Sequence, residues 1–577
     1  MTMNHPFLRL AVSMAIAFAA LTAAAAPSDP SSPDALLGLW KAKRWFEPRA
    51  PGTLIIQRNG TAYTADIAGR VIPVTANGSE LSFRFPDGRR SFRGKLAPGV
   101  IRGFWYEPSA FPVQLRAAGP NRWIGAVETY ERTFTLYLLV RKRPDGTLAA
   151  MLDNPERDWA ARLGVESLVR EGSAVKLMGK QPVVTGAYDA ENDRISLPFP
   201  GNGGTYDFSR EGDESDFYER GKNPARYVYR RPPALDDGWA TQSPDDAGID
   251  RAGLEAMIQM LIDRPMDSID VPVVDALLIA RHGKLVLEEY FRGEHREKLH
   301  DTRSASKSLV SVVAGAAMHA GVPLKLSSPV YKVMNGGTFP PGLEPRKRAM
   351  TFEHLLTMTS GTACDDWDDN TPYNEDAMWD NQKNDSDFYR WALNLPMARN
   401  PGEKTVYCSA GANLALGMVG RAAGESPVDL FDRLVARPLH INHYLWGANV
   451  GGQPYGGGGA RFRARDFLKF GQLMLDGGTW KGHRILSSDF AKRATSPLYP
   501  FDRFRYGYLW WSLEYPYKDH SVRAFYAGGL GGQEVVAIPE LDMVIATFGS
   551  NYVSAGNYYV LREVIPNYVL PAVRQGR

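Results

Sequence analysis

The stretch Ser304-Ala-Ser-Lys307, continued by Ser308-Leu-Val-Ser-Val-Val-Ala-Gly-Ala-Ala-Met-His-Ala320 and stopped by Gly321, decides how this chain is read. Its apolar residues run almost without a break to a glycine, the pattern of a buried helix with a glycine terminus. Positions i and i+3 of a helix share a face, so the Lys307 amine is predicted to lie beside the Ser304 hydroxyl in the first turn. An apolar wall removes solvation from a charged amine, so the Lys307 pKa is expected to fall, which would let it take the serine proton. The helix start also offers N–H groups and positive partial charge to a developing oxyanion. Other chemistries lack their signatures: the chain has no Gly-x-Ser-x-Gly elbow, no His-Glu-x-x-His, no Walker loop and no Rossmann glycine fingerprint. Ser-x-x-Lys alone is common as an exposed helix start, so its surroundings have to carry the assignment.

Outward from this helix, helix and strand signals alternate from residue 239 to 577. Ile249 to Ile262 has helical spacing, and Ala276 to Ala280 and Leu285 to Leu287 flank Arg281-His-Gly283-Lys as a hairpin. Val535 to Ile538 and Met543 to Phe548 surround Pro539-Glu-Leu-Asp542 near the end. This is an α/β (α+β) layout with an antiparallel sheet. Arg230-Arg-Pro-Pro-Ala-Leu-Asp-Asp-Gly238 is Pro-rich, charged and aperiodic, and reads as a linker over 230–238.

Ahead of the linker, residues 34–229 show short alternating apolar runs broken by turns. Leu54-Ile-Ile precedes Asn59-Gly60, Leu81 to Phe85 precedes Asp87-Gly88, and Phe134 to Val140 precedes Asp145-Gly146. These are hairpin signals, and an internal echo links Gly60-Thr-Ala-Tyr with Gly146-Thr-Leu-Ala. One closed or nearly closed antiparallel β-barrel is expected here, and Gly38-Leu-Trp40 resembles the opening of lipocalin-like barrels. At the N-terminus, His5 and Arg9 precede an apolar run from Leu10 to Ala20, and small residues follow at Ala23 to Ala26. Residues 1–26 therefore read as a cleavable signal peptide, which predicts a periplasmic or secreted protein with no transmembrane segment after cleavage.

The order of several segments gives the second half a family. His300-Asp-Thr-Arg-Ser-Ala-Ser-Lys-Ser-Leu309 is preceded by Leu278-Ile-Ala-Arg-His-Gly-Lys-Leu-Val286. It is followed by Thr351-Phe-Glu-His-Leu-Leu-Thr-Met-Thr-Ser-Gly361, Pro401-Gly-Glu-Lys-Thr-Val-Tyr-Cys-Ser409, Gly456 to Asp466, and Phe525-Tyr-Ala-Gly-Gly-Leu-Gly-Gly-Gln533. From about Asp236 onward the chain resembles the serine β-lactamase-related hydrolases. That superfamily includes class C β-lactamases, D-alanyl-D-alanine peptidases, esterases and aminohexanoate-oligomer hydrolases.

The resemblance implies Ser304 as acylated nucleophile, Lys307 as its base and Tyr407 as the tyrosine that moves the proton to the leaving group. It implies an oxyanion hole from the backbone N–H groups of Ser304 and Leu530, and substrate contacts at Ser409, Ala527, Gly528 and Gly529. Two departures stand out. Tyr407-Cys-Ser409 replaces the common Tyr-x-Asn, and Ala527-Gly528-Gly529 replaces Lys-Thr-Gly, so the strand loses its cation. Arg461 or Arg463 could supply a replacement. Cys364 and Cys408 form a disulfide or remain buried thiols. Asp365-Asp-Trp-Asp-Asp369 reads as a solvated acidic loop, His300 as structural, and Ser306 as the second choice of nucleophile. Every catalytic candidate lies beyond the linker, so a chain beginning near Leu235 is expected to keep activity.

Composition agrees with an enzyme acting on a small molecule. Hydrophobic residues make up 44% and charged residues 23% of 577 residues, the balance of a globular protein. Lys+Arg at 67 against Asp+Glu at 64 gives a net charge of +3, with no basic stripe for nucleic acid. Two cysteines leave no CxxC pair for zinc. The expectation is acyl transfer on a small ester without metal or organic cofactor. The alternatives are an amide or D-amino-acid peptide hydrolase, of the peptidoglycan or aminohexanoate-oligomer type, and a catalytically inactive relative that binds peptidoglycan.

Overall fold

The computed structural model describes residues 32–574, apart from 46–51, 87, 108, 128–132, 155–159, 161–162, 180–181, 211–225, 265–269 and 553–554. The signal-peptide reading of residues 1–26 lies outside the described residues.

The antiparallel barrel expected over 34–229 is present, and the segment holds two of them, each closed by eight strands. One is inserted into the other. Strand Gly38–Trp45 pairs with Thr133–Lys142, in a register running from Gly38 opposite Val140 to Trp45 opposite Thr133. The residues between these two strands build a separate barrel, from Gly52–Asn59 to Arg122–Val127, closed by pairing of those two end strands. The outer barrel then continues through six more strands to Gly204–Arg210, which closes it against Trp40 and Lys41. Hairpin signals report only neighbours in sequence, so they could not distinguish one barrel from two when Gly38–Trp45 pairs with Thr133–Lys142 across the whole of the inserted barrel. Gly60 turns the first hairpin of the inserted barrel and Gly146 the hairpin after Thr133–Lys142, the second strand of the outer one. Trp40 is fully buried in the outer barrel, with the Arg210 guanidinium 4.1 Å over its ring.

The second half is built on a nine-stranded sheet. Its order is Ala240–Thr241, Lys284–Tyr290, Ala276–Arg281, Met543–Phe548, Gln533–Ile538, His520–Gly529, Trp511–Tyr517, Phe504–Tyr506, Tyr499–Phe501. All pairings are antiparallel except that of Ala240–Thr241 with Lys284 and Leu285. Central strands such as Ala276–Arg281 and Met543–Phe548 are buried at every position, which is why they read as continuous apolar runs: helices cover both faces. Arg251–Ile262 and Val560–Val569 pack on one face. Helices Ser306–His319, Ser409–Ala423 and Ala464–Leu475 pack on the other. Ser306–His319 is buried along nearly its whole length and ends as its sequence predicts. Gly321 adopts φ +88°, and the Val322 N–H closes on the Ala317 carbonyl at 3.0 Å. Among the described residues no helix is long and apolar enough to cross a membrane.

Candidate active site

Ser304 lies in the short 3-10 turn Arg303–Ala305 that feeds helix Ser306–His319. Arg303, directly before it, takes φ +49°, a left-handed conformation that costs a non-glycine residue energy. Its surroundings hold it there: the Arg303 N–H donates to Asp301 Oδ1 at 2.9 Å, and its guanidinium sits 4.6 Å over the Tyr552 ring. The turn is also tied to Ala460, which follows the Gly456 to Gly459 run. Thr302 Oγ1 donates to the Ala460 carbonyl at 2.8 Å, and the Ala460 N–H donates to Ser306 Oγ at 3.1 Å. Ser306 is therefore a buried structural hydroxyl and not a second nucleophile.

Lys307 Nζ lies 3.0 Å from Ser304 Oγ, as the i, i+3 spacing requires, and is almost completely buried. It also donates to the Gly457 carbonyl at 2.5 Å and sits 4.8 Å from the centre of the Tyr407 ring. Its electrostatics differ from the expectation. Burial works to lower the Lys307 pKa, but the Tyr407 oxygen, Glu375 and Asp366 outweigh it and hold the amine above the usual lysine value. The apolar helix that suggested a depressed pKa is real. The opposing carboxylates come from a distant segment and were not visible in it.

That segment is the loop after Cys364. Cys364 and Cys408 are bonded, which brings the acidic run of 365–369 against Tyr407 and Ser409. Asp366 turns inward, contrary to its reading as part of a solvated loop, and accepts the Ser409 N–H at 2.6 Å. Burial raises its pKa and Glu375 adds to the rise, with Lys307 opposing. Ser409 needs a correction too. It is fully buried and donates its hydroxyl to Glu375 Oε2 at 3.0 Å, so it binds a carboxylate of the protein and not a substrate.

The end of strand His520–Gly529 closes the other side. A Cβ on Gly529 would fall 2.4 Å from the Thr302 carbonyl and 3.1 Å from the Ala305 nitrogen, so only glycine lets this strand touch the Arg303–Ala305 turn. Leu530 follows and is 45% exposed. Gly528 lies against the Tyr526 ring. The Ala527 side chain is buried at 2% in the core on the helix side, so this position presents no side chain to an open cleft. The two replacement cations are held elsewhere. Arg461 pairs with Asp301 at 3.2 Å, and Arg463 pairs with Glu297 at 3.0 Å and Asp466 at 2.8 Å. His300 is structural as expected, bonded to Glu294 at 2.8 Å and stacked on Phe548.

Sequence reasoning missed an aromatic wall beside Tyr407. Trp367 stacks on Tyr407 at 5.6 Å and 11°, Trp511 stacks on it at 6.0 Å and 25°, and Phe501 meets it edge-on at 6.2 Å. Trp367 is 59% exposed, an unusual state for so large an apolar ring. A bond between Cys364 and Cys408 would have signalled it, since Trp367 is three residues beyond one cysteine and Tyr407 adjoins the other. Glu375 and Tyr455 carry no comparable local signal.

A family model described as Beta-lactamase matches residues 259–558, more than half of the 577-residue chain. The chain is 25% identical over 236 residues to a 6-aminohexanoate-dimer hydrolase of Paenarthrobacter ureafaciens, a match covering 38% of this chain and 56% of that protein. It thus spans about half the length of this curated relative. Among solved structures, it is similar to a penicillin binding protein from Bacillus halodurans, with 17% identity and a TM-score of 0.39 over 50% of this chain and 95% of that one. It is also similar to a beta-lactamase from Mycobacterium bovis, with 17% identity and a TM-score of 0.40 over 55% of this chain and 100% of that one.

Proposed function

Because this chain belongs to the β-lactamase family, we propose that it is an exported serine hydrolase that cleaves small carboxylic esters through an acyl-enzyme on Ser304. The observation that carries this reading is the 3.0 Å contact of a buried Lys307 Nζ with Ser304 Oγ, beside Tyr407. Lys307 and Tyr407 act as one acid–base unit. The lysine is held as an ammonium and cannot take a further proton, so the Tyr407 oxygen beside it is the proton acceptor. Ser304 Oγ attacks the carbonyl carbon as its proton passes to Tyr407. The oxyanion that forms lies between the N–H groups of Ser304 and Leu530. Collapse breaks the bond to the alkoxide, which takes the proton from Tyr407, and water then releases the acid by the same steps.

Two features favour uncharged substrates. No side-chain cation stands at Ala527, Arg461 and Arg463 are committed to carboxylates, and Trp367 offers an exposed apolar face. Penicillins, cephalosporins and D-alanyl termini all present a carboxylate, which a charge-assisted hydrogen bond would favour. The lack of one such contact costs on the order of 2 kcal/mol in transition-state binding, about thirtyfold in kcat/KM. The amide alternative has one observation behind it, the similarity to a 6-aminohexanoate-dimer hydrolase. Export is supported by the pattern of residues 1–26 and by the Cys364–Cys408 bond, which suits an oxidising compartment.

The test is the ratio of kcat/KM for a nitrophenyl butyrate ester to that for a chromogenic cephalosporin, with a linear amide dimer as third substrate. The ester is expected to be fastest. Faster cleavage of the cephalosporin or of the amide would replace the ester assignment, and no turnover or covalent labelling at all would point to an inactive binding relative.

A further inference from the structure

We propose that Glu375, acting with Asp366, is a positioning residue of the Ser304, Lys307 and Tyr407 group: it anchors the corner beside Lys307 and fixes the backbone carbonyl to which the Lys307 amine is tied. This rests on the hydrolase reading above and adds residues that the nucleophile segment does not contain.

Glu375 opens the helix Glu375–Asp380 and faces two hydroxyls. Ser409 Oγ donates to its Oε2 at 3.0 Å and the Tyr455 hydroxyl donates to its Oε1. An ionised carboxylate has only acceptor sites, so this pair of donors matches its charged form. Asp366 secures the same corner through backbone donors, from Ser409 at 2.6 Å and from Glu375 itself at 2.8 Å. The corner connects directly to the lysine. A Cβ on Gly457 would fall 2.2 Å from the Tyr455 hydroxyl and 3.0 Å from Ser409 Cβ, so the Gly457 backbone rests on both partners of Glu375. The carbonyl of that glycine accepts from Lys307 Nζ at 2.5 Å. The titratable and charged groups facing Lys307 are therefore Tyr407, Glu375 and Asp366, with the Tyr455 hydroxyl on the Gly457 side. The two carboxylates, with the Tyr407 oxygen, oppose its desolvation.

Glu375→Gln deletes the charge and leaves an oxygen to accept the hydroxyl bonds, so it separates electrostatics from packing. The experiment follows the Lys307 amine by nitrogen NMR in full-length protein labelled at lysine Nζ, with the signal assigned by its loss in Lys307→Ala. In Glu375→Gln the Lys307 titration is expected to move to lower pH by about one unit or more, and the alkaline limb of the kcat/KM profile for a nitrophenyl ester, where the ammonium is lost, should move the same way. Asp366→Asn should produce a shift of the same sign and gives an independent reading if the first variant does not fold. A titration that stays in place in a folded variant overturns the proposal, even if activity falls. The titration needs no turnover. Wild-type protein without hydrolysis would therefore count against the proposed function alone, and hydrolysis with an unmoved titration would count against Glu375 alone.

Discussion

Asp153, on a strand of the outer barrel, forms an ion pair with Arg292 of the hydrolase half, and both side chains are at most 9% exposed. Arg292 also reaches Asp275 at 3.1 Å. The inserted barrel makes its own attachments nearby. Leu299 and Leu445 pack with its core residues, and Ala110 and Trp446 exchange both backbone hydrogen bonds at 3.0 Å. Residues 292 to 299 are thus held by both barrels immediately before the turn that carries Ser304.

Asp153→Ala removes a charge-assisted hydrogen bond and leaves Arg292 with Asp275 alone, so it is expected to lower the stability of the full chain by about 1.5–3 kcal/mol, read as a fall in the urea midpoint. A chain beginning near Leu235, which the sequence suggested would stay active, lacks Asp153 and the Ala110 pairing and is expected to lose ester hydrolysis. A folded, fully active truncation would show that the barrels do not support the site.

The Cys364–Cys408 bond closes a sequence separation of 44 residues. Loop-closure entropy for that length is worth about 4 kcal/mol in the chain-entropy account. Protein unfolded without reductant should present no titratable thiol. Reduction should lower both stability and kcat/KM, because it frees the loop that carries Asp366 and Trp367. Two reactive thiols in the purified protein would contradict this.

Glu534 is fully buried on strand Gln533–Ile538 with neither carboxyl oxygen hydrogen-bonded, and burial pushes its pKa up to about 8 against the nearby Leu561 backbone and the charge of Arg562. An acid whose folded pKa is raised binds more protons when folded than when unfolded. Stability therefore falls as pH rises from the ordinary carboxyl range to about 8, by on the order of a few kcal/mol, and is level in this term above it. Urea unfolding at several pH values should show that slope in wild type and a flatter one in Glu534→Gln. Equal slopes would mean that the carboxyl is relieved in the folded state.

What could be read from the sequence was whatever a local pattern encodes. Helix Ser306–His319, its glycine stop and the Ser304–Lys307 contact follow from spacing along one element. Central strands declared themselves by continuous apolar runs. Pairing across long separations left no trace, so the insertion of one barrel into the other was hidden. The site divided along the same line. Ser409 was placed by analogy with an amide that contacts substrate, but its hydroxyl answers to Glu375, thirty-four residues away. The inward turn of Asp366 and the exposed Trp367 depend on the Cys364–Cys408 bond, which joins segments 44 residues apart and leaves no local pattern in either.

The central claim is that Ser304 is the acylated residue. The most direct measurement is intact and peptide mass spectrometry of the full-length protein after reaction with a fluorophosphonate probe, in wild type and in Ser304→Ala. One adduct per chain is expected in wild type, on the peptide that contains Ser304, and none in Ser304→Ala at an unchanged melting temperature. An adduct that persists in Ser304→Ala, on Ser306 or on any other residue, would contradict it.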